Sequence, residues 1–210
     1  MMITWYGENC FKIQSKELTV LTDPPSPTSG IKPPRFGHDI LLKTLAGTPL
    51  ARPDAGEEKT PFTIVGPGEY QIKDMVIRGY RLVSESTEKF IKTIYVIRDG
   101  DVSLCLLGHI AGGTIEPDTL EEIIGADIVV VPGGGKPFIA QEDAAKLVTQ
   151  LEAGYVIPSC FKIPGLARAS DDVKKFLKAM GSASETLPKL TVKKKDINPN
   201  ETKIAVLEIF

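Results

Sequence analysis

Apolar and polar positions alternate in short runs at the start of the chain. Ile3 to Tyr6, Phe11 to Gln14 and Leu18 to Thr22 are separated by polar turns, and this period of two predicts an antiparallel meander. Asp23 ends the third run. Pro24 to Pro34 then packs five prolines and one glycine into eleven residues, so a rigid loop is expected there. Ile40 to Leu42 reads as a further buried strand. The following stretch, KTLAGTPLARPDAGEEKTP, has prolines at 49, 53 and 61 and reads as loop with one turn at most. Phe62 to Val65, Tyr70 to Ile72 and Met75 to Tyr80, parted by the turns GPGE and KD, predict a second meander, which Phe90 to Ile97 continues.

The pattern changes after Asp101. Val102 to Leu107 is an apolar run closed by Gly108, Glu116 to Ile124 has apolar residues at helical spacing, and Ile128 to Val131 runs into Pro132 and three glycines. This strand, loop, helix, strand unit is the part of the chain around which the rest is expected to wrap. Beyond it, Ala140 to Leu151 predicts an amphipathic helix, Tyr155 to Pro158 a strand, and Ser170 to Met180 a helix with Ser170 as N-cap and Gly181 as its stop. Leu190 to Lys194 and Lys203 to Ile209 close the chain as strands. A strand-rich first half and an alternating second half predict an α/β fold with two sheets face to face and helices outside.

Composition narrows the function. The chain has 210 residues, 42% of them hydrophobic, enough to bury a real core as one domain. Its 25 basic and 27 acidic residues leave a net charge of −2, so no global field recruits nucleic acid or an anionic membrane. Cys10, Cys105 and Cys160 are an odd number without CxxC spacing, which argues against a disulfide framework or a zinc ribbon and makes the cytoplasm the expected compartment. No leader-like start and no membrane-length apolar run is present in the sequence. His109, one residue past the first central strand, sits where ligands bind in open α/β sheets.

Several blocks in order carry a resemblance: ITWYGENCFKI at the start, LTDP at 21 to 24, GPGEYQIKDMVIRG at 66 to 79, KTIYVIRDGDVSLCLLG at 92 to 108, DIVVVPGGG at 127 to 135 and VIPSCFKIPG at 156 to 165. They resemble the metallo-β-lactamase fold in its ascorbate phosphate lactonase-like branch of zinc-dependent hydrolases. The resemblance spans nearly the whole chain and implies a four-layer αβ/βα sandwich with the active site along one edge between the sheets. It also implies two adjacent divalent metals held by imidazoles and carboxylates, whose charge brings a bridging water into the nucleophilic range.

The residues that would hold those metals have changed. Where the family carries HxHxDH, this chain has Leu45 and Gly47 for the leading histidines and Pro49 and Leu50 for the aspartate and last histidine, none with a ligating side chain. Ser84 or Glu85 stands where a histidine follows the GPGEY meander, His109 replaces the bridging aspartate, Cys160 replaces the final histidine, and Glu8 replaces a histidine of the first turn. With only His38 and His109 in the chain, no register shift rebuilds a histidine-rich dinuclear site. No metal ligand and no cofactor is therefore expected, and the leading reading is a non-catalytic relative that binds a small molecule or a protein partner, or self-associates as a homo-oligomer.

The competing reading is a hydrolase-like enzyme with a remodelled site. In it, His109 and Cys160 lie close together as an activated thiolate pair or half of a single-metal site, with Glu8, Asp39, Glu85 and Lys162 directed to the same edge as binding residues. Against it, a cysteine is more often a small buried apolar residue and a loop histidine more often a local cap. Gly133 to Gly135 lacks the spacing of a phosphate-binding fingerprint and reads as structural. Lys193 to Lys195 reads as protection of a terminal strand edge.

Overall fold

The computed structural model describes residues 1–50, 61–198 and 201–210. In chain order its strands are β1 (Met2–Trp5), β2 (Phe11–Gln14), β3 (Thr19–Thr22), β4 (Ile40–Lys43), β5 (Leu45–Gly47), β6 (Phe62–Val65), β7 (Gly68–Ile72), β8 (Met75–Arg81), β9 (Phe90–Asp99) and β10 (Val102–Leu106). Helix α1 (Pro117–Ile123), β11 (Ile128–Pro132), α2 (Gln141–Leu151), β12 (Tyr155–Ser159), α3 (Val173–Met180), β13 (Ser184–Leu187), β14 (Leu190–Thr191) and β15 (Lys203–Leu207) complete it.

The strands form two mixed sheets, ordered β14-β1-β2-β3-β4-β6 and β13-β15-β12-β11-β10-β9-β8-β7. Each inner face follows from alternation. In β2, Phe11 and Ile13 are buried while Lys12 and Gln14 are half-buried, and the same side of the first sheet carries Ile3, Trp5, Val20, Ile40, Leu42 and Ile64. Facing them, β8 to β11 contribute Ile77, Ile97, Leu104 and Ile128, in one continuous core. Strands β10, β11 and β12 pair in parallel and are apolar almost throughout, as expected for strands covered on both faces. Helix α2 packs on β11 and α3, and α1 reaches β8 through the Tyr80 to Glu122 hydrogen bond of 3.1 Å.

The first sheet is flanked differently. Phe36, in the proline-rich crossover between β3 and β4, lies under the Lys12 ammonium at 4.7 Å and against Tyr6 at 5.3 Å, so the crossover runs over that sheet's outer face. Prolines without donors suit this position, because the segment adds no N–H group that must find a partner against the sheet.

Five expectations are corrected. Phe62–Val65 does not join the second meander: it pairs in parallel with β4 in the first sheet, because the chain crosses between sheets at the Gly66 to Gly68 turn. The loop expected after Lys43 contains a strand, β5, whose Leu45, Ala46 and Gly47 pair with Lys92, Ile91 and Phe90 of β9; the part from 51 to 60 lies outside the described residues. Helix α3 starts later than expected, capped by Asp172, whose side chain accepts from the Lys174 N–H, rather than by Ser170. Strand β13 was not expected at all: Ser184 to Thr186 are exposed and polar and only Leu187 is half-buried, so no alternation marks it, and its parallel pairing with β15 makes it a strand. The lysine run does not extend β14 either; it forms a 3-10 turn, and Lys194 reaches the buried Asp127 at 2.7 Å.

Candidate active-site edge

The parallel strands of both sheets end on one edge, which brings separate loops together. Asp23 follows β3 and Thr44 follows β4 in the first sheet; Gly108 and His109 follow β10, Gly133 to Gly135 follow β11, and Cys160 follows β12 in the second. The β1–β2 turn joins them through Asn9. Its side-chain amide donates to the Gly108 carbonyl at 3.0 Å and its carbonyl accepts from the Ser159 hydroxyl at 2.7 Å, while Thr22 donates to its backbone carbonyl at 2.6 Å. Asn9 is buried and every one of these bonds crosses between elements, so it holds the two sheets in register at the edge.

His109 is held by a relay from the first sheet. The Asp23 carboxylate accepts from the Thr44 backbone N–H at 2.8 Å and from the Thr44 hydroxyl at 2.6 Å, and the same hydroxyl oxygen lies 2.7 Å from His109 Nδ1. A hydroxyl has one proton, and with Asp23 ionised it goes to Asp23. Thr44 must then accept from His109 Nδ1–H, so in the neutral ring Nε2 is the acceptor. Burial pushes the Asp23 carboxyl above the ordinary carboxylate range, opposed by His109 and by the Thr44 hydrogen bonds. Gly108 permits this contact: it has φ of +58°, and a Cβ there would sit 2.5 Å from the Thr44 Cβ. The space bounded by Asn9, Asp23, Thr44 and Gly108 has no room for a water molecule.

The other ionisable groups of the edge are paired. Glu85 accepts from the Ala111 and Gly112 N–H groups, at 2.8 and 2.6 Å, and from the Lys92 ammonium at 2.7 Å, so a resident carboxylate fills the concave backbone after His109. Glu8 binds the Arg168 Nε at 3.1 Å, and Arg168 also donates to the Cys160 carbonyl at 3.0 Å. The Arg168 guanidinium stacks 4.8 Å above the Phe138 ring, which lies 5.7 Å from the His109 ring.

The expected site residues separate accordingly. His109, Glu8 and Glu85 share the edge. Asp39 does not: it precedes β4, accepts from the Thr19 N–H at 2.7 Å, and lies about 16 Å along the strand from Thr44. Lys162 is exposed and tied to the edge only through its backbone N–H, which donates to the Asp171 carbonyl at 2.9 Å. Cys160 reaches the edge as backbone: its N–H donates to the Glu8 carbonyl at 3.3 Å while the residue is fully buried. Burial drives its thiol well above the ordinary range, outweighing the opposite pull of Ser159 and Arg168. Among the described residues no hydrogen bond joins Cys160 to His109. Alkylation of native protein by iodoacetamide at pH 8 is accordingly expected to be far slower at Cys160 than at a free thiol, and unchanged by His109→Ala. Fast, His109-dependent modification would restore the thiolate pair.

Asn9, Thr44, Ser159 and Arg168 were missed as site residues. Asn, Thr and Ser are ordinary turn and strand-end residues, and Arg168 lies eight positions past Cys160 with no motif around it. Asp23 had a signal, a carboxylate closing an apolar strand before a proline. Backbone strain marks the same edge: of the five non-glycine residues with positive φ among those described, Glu8, Asp23 and Cys160 belong to it.

Two mixed sheets packed face to face, helices outside the second, and a site edge where the parallel strands end define an α/β sandwich of the metallo-β-lactamase type. The family described as beta-lactamase superfamily domain matches residues 2–159, and the chain belongs to it. Over 99% of its length it is similar to a metallo-β-lactamase superfamily protein from Thermotoga maritima described as a candidate zinc-dependent hydrolase, with 26% identity, a TM-score of 0.77 and 98% of that chain covered. A candidate metal-dependent hydrolase from Parabacteroides distasonis (12% identity, TM-score 0.61, 98% and 93% covered) and the metallo-β-lactamase fold protein YhfI from Bacillus subtilis (10%, 0.58, 99% and 95%) share the fold. No sequence among curated proteins matches the chain.

The metals that the superfamily implies do not fit the donors described here. No group of three or more His, Cys, Asp or Glu side chains converges among the described residues, Leu45 and Gly47 lie in β5, and Asp23 and His109 Nδ1 are turned onto Thr44.

Proposed function

We propose that this chain is a non-catalytic member of its superfamily, in which the former active-site edge serves as a binding surface for a small molecule or a protein segment. The observation that carries the reading is the Asp23–Thr44–His109 relay. A threonine side chain occupies the space between the two residues, donating one hydrogen bond to Asp23 and accepting one from His109, so neither directs its bonded atom at a cation. Glu85 and Glu8, at two further family ligand positions, are neutralised by Lys92 and Arg168. The strained Glu8, Asp23 and Cys160 backbone supports a retained role for the edge, since such conformations persist where surrounding structure enforces them.

The ligand-facing groups on this reading are His109 Nε2, the Arg168 guanidinium and the Phe138 ring. Self-association through this edge is the alternative use of the same surface. The compartment we propose is the cytoplasm, which suits three buried free cysteines; no helix among the described residues is long and apolar enough to cross a membrane.

The test is metal content and stability together. Protein purified without chelator is expected to carry substoichiometric zinc by elemental analysis, and added zinc is expected to leave its melting temperature unchanged. Two equivalents of tightly held metal, or lactone or phosphoester cleavage abolished by chelator, would overturn the reading. A second reading, a remodelled hydrolase, draws on one observation: no hydrogen bond among the described residues engages His109 Nε2, which leaves it able to act as a base. Loss of a measured hydrolytic activity in His109→Ala but not in Cys160→Ala would favour it.

A further inference from the structure

At the end of the sandwich opposite His109 the two sheets part around a cavity of about 560 Å³, bounded by Val102 at the start of β10, whereas His109 follows that strand's end. Small-ligand sites fall within roughly 300–1,000 Å³. The floor is apolar, made by Met2, Leu18, Met75, Val102 and Val192, with two thioethers that adapt to differently shaped apolar groups.

The two walls carry opposite charge. From the second sheet, the β7–β8 and β9–β10 turns bring Asp74, Asp99 and Asp101; from the first, the β2–β3 turn and the segment after β14 bring Lys16 and Lys193. The neighbouring charges are taken: Lys73 pairs with Glu17 at 3.6 Å across the two sheets, and Lys194 holds Asp127 at 2.7 Å. Asp74, Asp99, Asp101, Lys16 and Lys193 have no ion-pair partner among the described residues. An acidic wall, a basic wall and an apolar floor between them match a molecule with an ammonium group, a carboxylate and an apolar body.

We propose that this cavity binds a hydrophobic α-amino acid, its ammonium group on the aspartate wall, its carboxylate on the lysine wall and its side chain on the methionine floor. The site is independent of the edge around His109, and its success or failure leaves the reading of that edge untouched.

The chain has four methionines, of which Met1, Met2 and Met75 line the cavity while Met180 ends α3. In protein labelled at the methionine methyl carbons, titration with L-leucine is expected to shift the Met2 and Met75 signals saturably and leave Met180 in place. N-acetyl-leucine, without the ammonium group, and leucinamide, without the carboxylate, are each expected to bind about tenfold more weakly. The double variant Asp99→Asn, Asp101→Asn is expected to weaken leucine by a similar factor and to leave N-acetyl-leucine unaffected. Absence of any Met75 shift at millimolar leucine, a shift confined to Met180, or equal titration by all three probes would sink the proposal.

Discussion

Gly134→Ala is expected to destabilise the protein by about 3 kcal/mol or more, enough to move a urea midpoint far to lower denaturant or to prevent soluble expression. A Cβ at that position would lie 2.0 Å from the Cys160 carbonyl oxygen and 2.8 Å from the Phe161 Cα, both backbone atoms. The two segments cannot separate without breaking what joins them: Gly133 N–H donates to the Ser159 carbonyl at 2.7 Å, and Asp171 N–H donates to the Gly134 carbonyl at 2.8 Å. A side chain in a packed interior shifts when crowded, whereas two hydrogen-bonded backbones do not. Gly37→Ala is the control, since a Cβ there meets nothing within 4 Å. A Gly134→Ala midpoint equal to that of Gly37→Ala would show that the β11 and β12 loops do not touch as described.

Asp23→Ala is expected to cost about 3 kcal/mol, since it strips the acceptors from the buried Thr44, including its backbone N–H. Asp23→Asn is expected to cost less and to do something different at His109. The asparagine carbonyl still accepts from the Thr44 N–H, but its NH₂ now donates to the Thr44 hydroxyl, which turns its own proton onto His109 Nδ1. The histidine then carries its proton on Nε2, a change read directly from the imidazole nitrogen shifts. The same tautomer in wild type and Asp23→Asn would refute the relay.

The pH dependence of Asp23 has a definite sign. Burial raises its folded carboxyl above the unfolded value, so the folded state holds the proton more tightly. The stability that this contributes is complete below the ordinary carboxylate range and is lost as pH rises through the raised folded value. The stability gap between wild type and the non-titrating Asp23→Asn is therefore expected to narrow from acid towards neutral pH, checked by urea unfolding across that range. A gap that widens would mean that the hydrogen bonds from Thr44 outweigh burial.

Much of the scaffold was legible from local pattern. The β1 to β3 meander and helix α2 carry their period in their own residues, since one face of each is more deeply buried than the other, while β10 and β11 are marked by unbroken apolar runs covered on both faces. The chemistry of the segment after β4 was legible too. Leu45, Gly47, Pro49 and Leu50 have no ligating side chain in any conformation.

What the sequence determined by itself, then, is most of the strands and helices, the apolar core and the absence of a ligating side chain at Leu45, Gly47, Pro49 and Leu50, because each rests on side-chain chemistry or spacing within a few residues. Tertiary structure alone decided that Phe62–Val65 crosses to the first sheet, that Leu45–Gly47 becomes a strand on β9, that Asp39 sits at the far end of β4 from the edge, and that Asp23 and His109 meet on Thr44. Those outcomes depend on contacts between residues far apart in the chain, 65 positions for Thr44 and His109, and no local period records which distant partner a backbone or hydroxyl will find.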